Sequence, residues 1–137
     1  MILVIDDEEL ILSLLSRILT WEGYHVACAS NGQIALAQIQ DTGYDAIICD
    51  LRMPVMDGLT FYEELARTSP DLAARVVFST DVIIPETQNL LLETGRGVLP
   101  KPFQLEELYC VVERAIDNSP VESPHLQYDS LSWTSTG

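Results

Sequence analysis

Five short apolar runs, separated by longer stretches of helical periodicity, constrain the fold of this chain more than any other feature. The runs are residues 2–5, 26–29, 46–49, 76–78 and 98–99, each bounded by polar or turn residues. Continuous apolar runs of this length suit strands covered on both faces, as in a parallel sheet flanked by helices. Between the first two, Ile11, Leu14, Leu15, Ile18 and Leu19 recur at three- and four-residue steps, with Gly23 as a C-terminal stop. After the break at Pro102, Leu105, Leu108, Val112 and Ile116 repeat the pattern. Segments 31–41, 58–68 and 85–94 fill the remaining crossovers, with Gly43, Pro70 and Gly95 just beyond them. Five strand-then-helix repeats predict one α/β domain over residues 1–117 with right-handed crossovers.

In such a sheet, function gathers at the carboxyl ends of the strands. Asp6 and Asp7 follow the first run, Asp50 the third, Ser79 and Thr80 the fourth, and Lys101 the fifth. Any one of them has an ordinary structural reading; Asp7, for example, could cap the first helix. Together they deliver three carboxylates, hydroxyls and an ammonium to one edge. Three clustered carboxylates repel one another and call for a counter-charge, and an oxygen-only donor set suits Mg²⁺. A site of that kind completes its coordination with a phosphate. That gives a partner to Lys101, the only lysine of the chain, held between Pro100 and Pro102. Asp50 stands alone at its strand end before a loop shaped by Pro54 and Gly58, which makes it the candidate nucleophile for an aspartyl-phosphate.

Charge narrows the partners. With 7 basic against 21 acidic residues and a net charge of −14, the surface would repel nucleic acid and an anionic membrane. The start of the chain lacks the basic and apolar regions of a signal peptide, and no apolar stretch approaches the length of a membrane span. Cys28, Cys49 and Cys110 form no CxxC pair and read as buried reduced thiols, so a cytoplasmic protein is expected. Residues 118–137 turn rich in Ser, Thr and Pro and read as a tail or linker, although Leu126, Tyr128, Leu131 and Trp133 could dock on the domain.

The segments "LVIDDEE", "ICDLRMPVMDG", "VVFST" and "LPKPF", in this order and spacing, resemble the receiver domain of bacterial two-component response regulators. The resemblance covers residues 1 to about 117. It implies a flavodoxin-like, doubly wound five-stranded parallel sheet of order 2-1-3-4-5. It implies phosphoryl transfer to Asp50 from the phosphohistidine of a histidine kinase or histidine phosphotransfer domain, catalysed by the domain itself. Asp7, Asp50 and the backbone carbonyl of Arg52 would hold Mg²⁺, Asp6 would act mainly through bound water, and Thr80 and Lys101 would contact the phosphoryl group. The Lys101–Pro102 bond would be cis. The output would be a switch in contacts with an unnamed downstream protein, with a homodimer left open.

Two positions depart from the family pattern. Val98 stands where an aromatic is usual, so an aromatic flip cannot report the state of Thr80. Asp81 stands where Ala or Gly is usual, and the loop 81–85 is about one residue short. Two other functions compete with the phosphoacceptor. A Mg²⁺-dependent aspartyl phosphatase would need a carboxylate where Arg52 stands, and a receiver-like module that is never phosphorylated would have no use for the intact set. The domain is read as a stand-alone regulator or, with a slight lean, as the receiver of a hybrid histidine kinase.

Overall fold

The computed structural model describes residues 1–81 and 85–117. The predicted tail, its four candidate docking residues and part of the 81–85 loop lie outside the described residues. The strands are β1 (Ile2–Ile5), β2 (Val26–Ala29), β3 (Ala46–Asp50), β4 (Val76–Thr80) and β5 (Gly97–Pro100). All neighbouring pairs are parallel, in the order β2-β1-β3-β4-β5, as expected. The helices are α1 (Glu9–Trp21), α2 (Gly32–Ile39), α3 (Gly58–Thr68), α4 (Pro70–Ala73), α5 (Pro85–Thr94) and α6 (Leu105–Asp117).

Alternation along the strands divides the core in two. Leu3, Ile5, Ile47, Cys49, Val76 and Phe78 face Ala35 of α2, Phe61 and Leu65 of α3 and Leu91 of α5. Ile2, Val4, Ile48, Val77 and Leu99 face Leu15 and Leu19 of α1 and Leu108, Val112 and Ala115 of α6. The three central strands are buried throughout, which is why they read as unbroken apolar runs. The edge strands are partly open, and there the cysteine reading needs correcting. Cys49 is buried, but Cys28 on edge strand β2 and Cys110 on the outer side of α6 are exposed free thiols.

Pro70 does more than stop α3. After Ser69 breaks the helix, Pro70 starts the separate turn α4, its ring occupying the first position, where no amide hydrogen is needed. The starts of α2 and α3 follow ordinary capping, with Asn31 accepting from Ile34 N at 2.9 Å and Asp57 from Thr60 N at 2.8 Å. Asp7 does not cap α1. The residue before α1 is Glu8, which makes no capping bond; its own amide donates instead to Asp6 Oδ1 at 2.9 Å. The Lys101–Pro102 bond is cis, as expected. Among the described residues, no helix is long and apolar enough to cross a membrane.

The β3–α3 turn folds tightly back on the strand end. Gly58 N donates to Leu51 O at 2.9 Å, and Val55 holds a φ of 72°, a left-handed conformation rare for a β-branched side chain. A Cβ on Gly58 would overlap the Asp50 carbonyl oxygen and stand 2.9 Å from Leu51 Cα, both of them backbone atoms with no rotamer to escape into. Gly58→Ala is therefore expected to lower stability by about 2–4 kcal/mol in urea unfolding. Wild-type stability in that variant would mean that the turn can open without disturbing Asp50.

Candidate functional site

Strand order and register bring the acidic residues together. β1 and β3 are neighbours with Ile5 opposite Cys49, so Asp6 and Asp50 emerge side by side. β4 places Ser79 opposite Asp50, and β5 places Leu99 opposite Ser79. The chain beyond β5 stays pinned to the sheet, because Lys101 N donates to Thr80 O at 2.8 Å. Asp6 is pinned likewise by its amide, which donates to Ala29 O at 3.1 Å.

Oxygens of Asp6, Asp7 and Asp50 all lie within 4.8 Å of one another. Asp6 and Asp50 are buried at 2% and 7% exposure, whereas Asp7 faces solvent. Lys101 reaches into the cluster, its Nζ donating to Asp6 Oδ2 at 2.8 Å and to Asp50 Oδ1 at 3.4 Å. Thr80 is buried at the end of β4. Arg52 follows in the β3–α3 turn with its side chain exposed. The structure thus gathers Asp6, Asp7, Asp50 and Lys101 directly and sets Thr80 and Arg52 at the same strand ends.

One ammonium does not balance three carboxylates, and Asp50 shows the deficit. Burial first, and the charge of Asp6 second, push its carboxyl from 3.8 up to about 6, although Lys101 pulls the other way and Asp7 adds a smaller push. Burial alone would lower the Lys101 ammonium, but its bond to Asp6 and the charges of Asp50 and Asp6 outweigh this and raise it. An all-oxygen cluster with excess negative charge and an open side at Asp7 fits a hard divalent cation. Asp81, exposed, is not among the charges that shift Asp50.

The profile of the response regulator receiver domain matches residues 2–113. The chain belongs to this family. It is 35% identical over 136 residues to the regulatory protein AtoC of Escherichia coli K12, covering 96% of this chain and 29% of that protein. It is 36% identical to the response regulator MprA of Mycobacterium sp. strain KMS, covering 96% and 58%. The chain therefore spans less than two thirds of the length of these curated relatives. Among solved structures, the receiver domain of NtrX from Brucella abortus superposes with a TM-score of 0.79 at 32% identity, over 87% of this chain and all 100% of that one. The signal receiver domain of a signal transduction histidine kinase from Syntrophus aciditrophicus gives 0.78 at 29% identity, over 89% and 93%. Receiver domains generally bind Mg²⁺ at an acidic pocket and exchange contacts with histidine kinases and downstream effectors. This receiver carries such a pocket.

The charged residues are legible in the sequence, but the backbone that supports them is not. Asp57 and Val55 shape the β3–α3 turn, Asp57 as the cap of α3 and Val55 through its positive φ. The pattern Asp57-x-x-Thr60 ahead of α3 was the available sign of a cap. Nothing in the sequence marked the positive φ of Val55. An apolar groove of about 550 Å³ between α1 and α6, lined by Leu10, Leu14, Trp21 and Leu105 among others, contains none of the predicted site residues.

The raised Asp50 carboxyl has a consequence for stability. Its folded value of about 6 lies above 3.8, so the folded state binds the proton more tightly than the unfolded chain. Stability from this group is full below about pH 4 and is lost as pH rises through about 6. Metal-free Asp50→Asn is expected to be about 1–3 kcal/mol more stable than wild type at pH 7.5, with the gap closing toward pH 4. Urea unfolding in chelator at both pH values checks this, and a variant less stable than wild type at pH 7.5 would contradict it.

Proposed function

We propose that this receiver accepts a phosphoryl group on Asp50 from a phosphohistidine donor and uses it to switch protein contacts. The observation carrying this reading is the triangle of Lys101 with Asp6 and Asp50, at 2.8 and 3.4 Å, beside the exposed Asp7. A carboxylate oxygen of Asp50 attacks phosphorus and forms the O–P bond of an acyl phosphate. The donor P–N bond breaks, and its electron pair goes to the imidazole nitrogen, which takes up a proton.

Asp7, Asp50 and the Arg52 carbonyl would hold Mg²⁺, with Asp6 acting through water. When bound, the cation neutralises charge on the carboxylates and on the phosphoryl oxygens. Lys101 turns from the carboxylates to the incoming phosphoryl oxygens and keeps the added negative charge paired. Thr80, at the end of β4, donates its hydroxyl to another of those oxygens. The histidine-bearing donor is a histidine kinase or phosphotransfer domain, and the reader is a downstream protein. Val98 is half-buried against the α2–α5 side of the core, opposite Phe78 in register, and is too compact and stiff to swing as a reporter. The readout then falls to the backbone after Thr80 and to α5.

Incubation with acetyl phosphate and Mg²⁺ followed by intact mass tests the reading. Wild type gains one phosphoryl group, with the P–O bond of the donor broken and acetate released, while Asp50→Asn gains none. An unchanged wild-type mass, or a gain that survives Asp50→Asn, would remove Asp50 as the acceptor.

A further inference from the structure

Ser79 is 2% exposed, and its Oγ has no hydrogen-bond partner. Its carbonyl accepts from Leu51 N at 3.2 Å, so the atom without a partner is the side-chain hydroxyl. A buried hydroxyl without a partner is unfavourable, and packing alone would be served at least as well by Ala or Val. Its position gives it a candidate partner. Ser79 lies directly opposite Asp50 in the parallel register. By strand alternation it shares the face of Val77, as Asp50 shares that of Ile48, and both of those residues pack on the α1–α6 side of the core. Side chains paired across neighbouring strands lie about 5 Å apart at their Cβ atoms, so a turn of χ1 brings a seryl oxygen to the adjacent carboxylate without backbone movement.

We propose that Ser79 is a positioning residue for the phosphoacceptor. In the resting protein Lys101 donates to the Asp50 carboxylate at 3.4 Å, and the Ser79 hydroxyl, opposite Asp50 in register, stands idle. When Lys101 turns to the phosphoryl oxygens, Ser79 donates to the carboxylate from the sheet side and keeps its plane fixed while the O–P bond forms. The hydroxyl transfers no proton and forms no covalent bond. The inference rests on Asp50 as the acceptor and adds the group that orients it.

The test follows acetyl phosphate labelling with Mg²⁺ across donor concentrations in wild type, Ser79→Ala and Ser79→Thr, with metal-free melting of each. Ser79→Ala should melt at or above the wild-type temperature, because its hydroxyl has no bond to lose. Its saturating labelling rate should fall about tenfold, the loss of one hydrogen bond to a charged group. The donor concentration giving half the maximal rate should not change, and Ser79→Thr, which keeps the hydroxyl, should label faster than Ser79→Ala. Wild-type labelling in Ser79→Ala, or slowing only in step with a lower melting temperature, overturns the role of Ser79 and leaves Asp50 as acceptor. Absence of labelling in wild type overturns the acceptor reading, and this inference with it.

Discussion

Asp6, Asp7 and Asp50 share one sheet edge with a single ammonium to answer them, and the arrangement of the whole strand-end region follows from that imbalance. In water the repulsion would be slight, but Asp6 and Asp50 are nearly sealed from solvent, where charges act on one another strongly. Lys101 binds Asp6 closely and Asp50 at greater length. Removing the ammonium would leave two buried carboxylates uncompensated, a loss on the order of 3–5 kcal/mol. The cluster is held in a state that a further cation would relieve.

The sheet makes this convergence unavoidable. Parallel strands end on the same side, and the order β2-β1-β3-β4-β5 puts β1 and β3 together at the point where the winding reverses. A residue that directly follows one of these central strands meets the residue that follows its neighbour. Gly58 lets the β3–α3 turn close against the Asp50 carbonyl, and the amide of Lys101 ties the end of β5 to Thr80. The backbone is therefore fixed on both sides of the acceptor before any ligand arrives.

Much of this was legible in the sequence because two periodicities and a few strand-end residues carry it. Buried central strands leave unbroken apolar runs, and β3 and β4 proved only one and two residues longer than those runs, ending in the polar Asp50 and in Ser79 and Thr80. Edge strands carry a weaker signal. Val26 to Ala29 reads as buried, yet Cys28 is exposed on β2, which among the described residues is the edge strand of the sheet. Pro70 looked like an ending because proline stops and starts helices by the same missing amide hydrogen. Asp7 looked like a cap by position, but its neighbour Asp6 took the Glu8 amide. The idle hydroxyl of Ser79 and the positive φ of Val55 are properties of tertiary neighbours and leave no mark on composition or period.

The central claim is that the carboxylate cluster is an unbalanced cation site, and the effect of Mg²⁺ on unfolding tests it most directly. A cation that binds the folded state alone adds about 2.7 kcal/mol at a hundred times its dissociation constant. The account predicts that Mg²⁺ raises the unfolding free energy of wild type in this way, and that Asp7→Ala, which removes the open ligand while leaving Asp6 and Lys101 paired, loses most of the gain. Equal stability with and without Mg²⁺ in wild type, or an undiminished gain in Asp7→Ala, would contradict it.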